Sequence, residues 1–341
     1  MNCQYEKEVR SLETRQSAAD RFRSRRTLVG RFETAGTFPT SSGNCIVALA
    51  CTLLLGCSQP TMDSGQVGDP QYPYLYADHY PVPRPGTAEV SFVRWLGTGD
   101  TEESPPGLYL VNSEGGPVRA VFEGHVGRPA WLDSVSVCFT DLGNGGRVAF
   151  LRVDIDSLAY LSTGRGDNPA AWSADSLLVY EVWDGLQVHH VRVGPTLLIS
   201  TFPRLREPDI NPATGMMAVR RLLPGGLESA ISLVDLGGNL LETISDPASG
   251  SHHQFPKWSA DGRFIGYQSD SIDPSGKLQH YVVVADTETG AESRLMRGFT
   301  PSFDHNTTGL FFSISPPSLT PGDLRIYWTD LDGSTSRQIT F

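Results

Sequence analysis

From about residue 88 onward, apolar and polar positions alternate in short runs, and no stretch of useful length keeps the 3.6-residue period of a surface helix. Runs such as AEVSFVRW (Ala88–Trp95), VAFLRVD (Val148–Asp154), YVVVAD (Tyr281–Asp286) and IYWTD (Ile326–Asp330) have the length and the β-branched, aromatic content of strands. One segment, Phe255–Asp270, reads FPKWSADGRFIGYQSD. Pro256 is expected where a strand enters its sheet, because its missing N–H costs least there. Trp258 offers a large apolar wedge between neighbouring sheets. Asp261-Gly262 makes a tight hairpin, with glycine tolerating positive φ. After it, Phe264, Gly266 and Gln268 should face one way, and Ile265 and Tyr267 the other.

The phrase recurs. RPAWLDSVSVCF begins at Arg128, NPAAWSADSLLVY at Asn168, EPDINPATGMMAV at Glu207 and TPSFDHNTTGLFF at Thr300. Its prolines, Pro129, Pro169, Pro208, Pro256 and Pro301, are spaced by 40, 39, 48 and 45 residues. Such a period marks a solenoid or a propeller. A small sheet with two apolar faces cannot stand alone, so the copies are expected to pack face to face in a ring. The phrase resembles the P-x-W-S-P-D-G repeat of TolB-type propellers. Phe255–Tyr267 is the best match, and Asn168–Tyr180 follows with Ser176 in place of the glycine. Trp131 and Trp172 keep the aromatic, whereas the Glu207 and Thr300 copies lack it. The resemblance covers roughly residues 88–341. It implies an all-β, six-bladed β-propeller of four-stranded antiparallel blades, placed at residues 86–341. The first unit has strand-like runs at Ala88–Trp95 and Leu108–Asn112 but no preceding phrase, and the sequence stops at Phe341 directly after the last outer strand. Ring closure is therefore expected from the Tyr72–Pro85 segment lying against the first or last blade, or from side-chain packing alone.

Near the N-terminus, Ile46–Gly56 (IVALACTLLLG) is uncharged and mostly apolar. It is too short to span a bilayer core of about 30 Å and suits the hydrophobic region of an export signal. A buried strand ending in Gly-Cys is the plainer alternative. Leu54-Leu55-Gly56-Cys57 resembles the lipobox of bacterial lipoproteins. That resemblance implies cleavage after Gly56, a covalent lipid on Cys57, and anchoring to a membrane through acyl chains. Ser58 after the cysteine implies the outer membrane in a two-membrane bacterium. Residues 1–57 are then a leader, and residues 58–85 a tether and pre-propeller segment. The nearest basic residue, Arg31, lies well upstream of the apolar run. Either translation starts later than Met1, the favoured reading, or Ser24–Leu28 (SRRTL) works as a twin-arginine signal. With Cys57 lipidated no internal disulfide is left, and Cys138 is expected to be a buried free thiol.

Charge narrows the partners. Of 27 Lys+Arg and 38 Asp+Glu, 8 and 5 fall in residues 1–44, so the remainder carries a net −14. Such a body repels phosphate backbones, and no basic patch is visible, so nucleic acid is not an expected partner. Candidate chemistry is sparse. His189-His190 should point to opposite faces of one strand and cannot jointly grip a metal. Asp154/Asp156, Asp286/Glu288 and Asp330/Asp332 lack the continuation of a calcium loop and are expected to be turns. No G-x-S-x-G elbow or phosphate-binding loop is present. Tyr327 and Trp328 are expected in the core. His253-Gln254-Phe255 is similar to an H-x-Q-F-like loop of oligogalacturonate lyases, a related propeller with a His/Gln metal site. That resemblance implies a metal held by His253 and Gln254, with His125, His280 or His305 completing the set. The preferred expectation is a non-enzymatic, monomeric binding module for an envelope protein or peptide, with no cofactor beyond the lipid. The alternative is a metal-dependent polysaccharide lyase. Convergence of His125, His253 and His280 on one axial pocket would favour the lyase, and dispersal the binder.

Overall fold

A computed structural model of the chain describes residues 76–96, 105–161, 164–191, 194–200, 204–224, 228–245, 251–315 and 324–341. The leader, Gly56, Cys57 and the tether as far as residue 75 lie outside the described residues. Among the described residues the only helix is a single 3-10 turn, Ser173–Asp175, and no helix is long and apolar enough to cross a membrane. Everything else regular is β.

The first sheet is β1 (Tyr76–Pro83), β2 (Glu89–Leu96), β3 (Gly107–Asn112) and β4 (Arg119–Glu123). The second is β5 (Ala130–Trp131), β6 (Ser136–Asp141), β7 (Arg147–Arg152) and β8 (Ser157–Tyr160). The third is β9 (Asp167–Trp172), β10 (Leu177–Val182), β11 (Gly185–His190) and β12 (Gly194–Ser200). Two further runs follow: β13 (Leu205–Ile210) to β14 (Met217–Leu222), β15 (Ser229–Val234) and β16 (Leu240–Thr243), then β17 (His252–Trp258) to β18 (Phe264–Ile272), β19 (Leu278–Asp286) and β20 (Glu292–Arg297). The last sheet is β21 (Phe299–Phe303), β22 (Gly309–Ile314), β23 (Arg325–Asp330) and β24 (Ser336–Gln338).

Within each run of four, neighbours pair antiparallel in chain order. The expectation of six separate blades is corrected by the pairing. Four sheets stand alone, and β13–β20 form one eight-stranded sheet. The cause is local: β17 begins early enough for His252 to pair parallel with Ser229 of β15, and the Ser229 hydroxyl donates to the His253 carbonyl (2.9 Å).

The core is distributed. Five buried clusters sit at joints between successive runs rather than at one centre. Val93, Leu108 and Trp131 join the first and second sheets. Trp172, Leu186, Met217 and Val219 join the third sheet to β13–β16. Ile231, Trp258, Ile265 and Tyr267 lie between the halves of the long sheet. Val282, Leu310 and Phe312 join β17–β20 to the last sheet, and Phe92, Tyr109, Phe311 and Ile326 close last against first. Each large side chain buried here is worth roughly 1.5–3 kcal/mol relative to exposure. The alternation of β18 serves two joints at once. Ile265 and Tyr267 face the β13–β16 half, while a Cβ on Gly266 would lie 3.0 Å from Leu310 of the last sheet.

Closure uses the segment before residue 86. β1 is the inner strand of the first sheet, so that sheet begins upstream of the boundary drawn from the repeat phrase. Ala77 also bridges to Leu324, and Asp78 N donates to the Leu324 carbonyl (3.1 Å). The result is a propeller-like ring of four-stranded antiparallel units.

Candidate functional site

Pro256 does not sit at a strand entry, which corrects the expectation for it, and Pro169 and Pro301 are placed alike. They lie inside the inner strands, each at a bulge where the ladder register shifts. The residue before each proline takes the left-handed conformation: Tyr80 (φ 52°), Asn168 (46°), Glu207 (51°), Phe255 (54°) and Thr300 (48°). A residue preceding proline is barred from the right-handed helical region, and a non-glycine at positive φ costs about 1–2 kcal/mol. Five such positions in register mark a strained belt around the axis. Pro129 differs, since β5 starts only after it.

The bulge removes each of these N–H groups from the ladder, and side chains across the joints receive most of them. Tyr80 N donates to Thr300 Oγ1 (3.3 Å), Glu207 N to Glu181 Oε1 (2.6 Å), Phe255 N to Glu207 Oε2 (2.7 Å) and Thr300 N to Gln268 Oε1 (3.2 Å). Asn168 N uses Asp167 of its own strand (2.8 Å). The bulges also turn these side chains toward one another. The Tyr80 and Phe255 rings meet edge to face at 5.6 Å, and Arg128 Nη2 donates to the Pro256 carbonyl (2.8 Å). These contacts join the first and second sheets to β17, so side chains fill the axis at this level.

On one side of the belt lies a charged network. Glu181 is buried and receives Arg206 (2.6 Å) and Asn168 Nδ2 (2.7 Å). Glu207 receives Arg220 Nη1 (2.9 Å). Burial raises the Glu207 pKa, and the Glu181 charge adds to that, against the pull of Arg220 and the Phe255 N–H. Tyr80 is pushed up to about 12, mainly by burial. Sequence reasoning missed this network. Its signal was present in the varied residue before each proline, which looked like divergence rather than a set of axial side chains.

The candidate histidines do not converge. His280 Nδ1 pairs with Asp270 Oδ1 (2.7 Å) and its ring lies on Phe299 (4.4 Å). Gln254 Nε2 and Gln268 Nε2 also reach the Asp270 carboxylate, each at 2.8 Å. His253 instead packs against Tyr267 (5.1 Å) inside the long sheet. His125 is exposed between β4 and β5. His305 lies at the other end of the strands, with Nε2 on the Arg84 carbonyl (2.7 Å). Among the described residues no group of three His, Cys, Asp or Glu side chains is placed to hold a metal. His125, His253, His280 and His305 are therefore not brought to one site, and of the predicted set only Gln254 and His280 meet, on Asp270. His189 is buried, whereas its neighbour His190 is half-buried.

The surface around this end is apolar at its tips. The turns joining second to third strands carry Leu142 (40% exposed), Trp183 (85%), Ile272 (64%) and Leu278 (55%). The Arg204 guanidinium lies 5.3 Å from the Trp183 ring and donates to its carbonyl (2.8 Å). At the other end, a cleft of about 640 Å³ opens at the closing seam, lined by Glu89, Glu114, Asp304, Trp328 and Arg337. Gly309 backs the Trp328 ring and Arg337 caps it (5.2 Å), so it offers no free stacking face. The acidic pairs taken for turns do serve as turns. Asp286 receives Glu288 N and Thr289 N, and Asp330 receives Thr335 N. Cys138 is fully buried and unbonded, and burial pushes its thiol pKa up.

The chain matches no protein-family model and no curated protein. Among solved structures it is similar to TolB from Acinetobacter baumannii, at 13% identity over 78% of this chain and 79% of that one, with a TM-score of 0.57. It is also similar to an oligogalacturonate lyase in complex with manganese, at 15% identity over 78% and 77%, TM-score 0.52. A third is the hydrazine synthase of Kuenenia stuttgartiensis, at 13% over 78% and 80%, TM-score 0.53. At such identities the likeness is one of fold. The fold is a TolB-like β-propeller arrangement, shared here by proteins whose names describe unrelated work.

Proposed function

We propose that the chain is a membrane-moored envelope lipoprotein, lipidated at Cys57, whose propeller binds a protein or peptide on the face carrying the second-to-third strand turns. In this reading the long sheet works as two blades, making six, and no catalysis is involved. The observation that carries it is Trp183, 85% exposed at the hairpin joining β10 to β11, with Leu142, Ile272 and Leu278 exposed at the corresponding hairpins of two other units. Large exposed apolar side chains at one end of the strands suit a partner surface, in which aromatic anchors supply most of the affinity. The Glu181–Arg206 and Asp270–His280 pairs beneath them supply polar partners for specificity.

The test places a photo-reactive residue at the exposed position 184, beside an intact Trp183, and, as a control, at the exposed Ile155 in the turn between β7 and β8. A discrete envelope protein crosslinked from position 184 and not from 155 supports the proposal; equal labelling from both refutes it. Mass spectrometry of membrane-extracted protein tests the anchor, and an unmodified N-terminus upstream of Cys57 refutes it. The lyase alternative draws on the Gln254–Asp270–His280 cluster. It would be favoured by stoichiometric divalent metal in the purified protein together with unsaturated products from a uronate oligosaccharide.

A further inference from the structure

Below the belt the axis holds a second set of buried charges that the exposed face does not use. Arg128 and Lys257 are 2% and 8% exposed. Lys257 Nζ lies 2.8 Å from Asp209 Oδ1, and Arg128 Nη2 lies 3.9 Å from the same oxygen. The other Asp209 oxygen accepts Trp258 N (2.8 Å). Two cations thus share one carboxylate. The nearby Glu207 does not redress this, being engaged by Arg220 and the Phe255 N–H. Arg128 Nη1 is buried and has no hydrogen-bond partner among the described residues. A guanidinium does not shed its proton, so a buried N–H is left unsatisfied beside two cations that share the Asp209 carboxylate.

Both cations line one small axial cavity, walled otherwise by Tyr80, Val82, Phe255 and Thr300. The cavity is about 10 Å³, room for one small occupant. We propose that this cavity binds a single halide ion, chloride in the native setting, between Arg128 and Lys257. An anion is favoured over water because two of the side chains lining the cavity are cations, and a monatomic ion suits its small volume. Bound there, the ion joins the second sheet to the long sheet across the axis. The proposal is independent of what the exposed face binds.

The test is thermal unfolding of the full chain in sodium chloride, bromide and gluconate at one ionic strength, with crystals grown in bromide. Halide at about 100 times its Kd is expected to raise Tm by roughly 5–10 °C over gluconate, and an anomalous bromide peak is expected between Arg128 and Lys257. The Arg128→Met and Lys257→Met variants should lose the halide-specific increment. Equal melts in all three salts, a cavity holding only water in bromide crystals, or an increment retained in both variants would each overturn the proposal. If either variant fails to fold, the bromide peak in the unmodified protein still decides.

Discussion

The ring depends on wedges between sheets, and the Trp172–Gly215 contact gives the sharpest test. Trp172 is 6% exposed in the cluster joining the third sheet to β13–β16, and its Nε1 donates to the Pro212 carbonyl (3.1 Å). Its ring packs against Gly215, where an added Cβ would sit 2.5 Å from Cη2 and 2.8 Å from Cζ3. Gly215 also has φ of +74°. Trp172→Ala should cost about 3–5 kcal/mol, the usual loss for a large buried aromatic. Gly215→Ala should cost roughly 1–2 kcal/mol for the backbone and a further 1–3 kcal/mol for the clash. In the Trp172→Ala background the clash disappears and only the backbone part remains. The double variant is therefore expected to be less destabilised than the sum of the two by roughly 1–3 kcal/mol, read from urea midpoints at constant m. Additivity within about 0.5 kcal/mol would refute the stacking, because residues in contact should couple.

Other outcomes follow from single groups. Burial and the Arg128 charge push Lys257 down to about 8, against the opposing pull of Asp209. Between pH 8 and the usual 10.5 the unfolded chain holds a Lys257 proton that the folded one lacks, so the Lys257 contribution to stability should rise with pH across that window. Buried Cys138 and Tyr80 act in the opposite sense. In halide-free buffer the stability difference between the unmodified protein and Lys257→Met should therefore shift by about 3 kcal/mol across the window and stay flat below pH 8. Ser176 occupies a left-handed position (φ 53°) where the matching hairpin of the Phe255 copy has Gly262. Ser176→Gly is thus expected to stabilise by up to about 1 kcal/mol in the same urea assay. Cys138 should resist a maleimide reagent in the folded protein and react fully once urea unfolds it. Trp183→Ala should abolish crosslinking to the partner while changing stability by no more than about 0.5 kcal/mol, as measured by thermal melts.

What was legible in the sequence was the period and the alternation, because those are set by local physics. Pro, Trp and Asp-Gly recur at fixed offsets, and Ile265 and Tyr267 turn away from Gly266 as a two-residue period requires. The role of proline was misread because a bulge depends on the partner strand: the Gln254–Lys257 register shift exists only against β18. Merging into an eight-stranded sheet rests on one pair, Ser229 with His252, which no sequence pattern announces. β1 escaped the repeat phrase because Tyr80-Pro81 carries the belt geometry without a tryptophan after it. The axial charges were invisible for a related reason. Glu181 sits on a second strand and Glu207 on the next unit's first strand, and only the circular packing brings them together.

The seam has a temporal consequence. Tyr80 and Thr300 are bonded across 220 positions, and Glu114 and Arg337 across 223. β1 pairs early with β2, but its contacts across the seam, to Thr300 and Leu324, wait for the last part of the chain, so the circle can shut only after nearly all of it has been made. Such distant pairings are slow to form, so the joint between head and tail is the last part of the ring to be made and the step on which its completion waits.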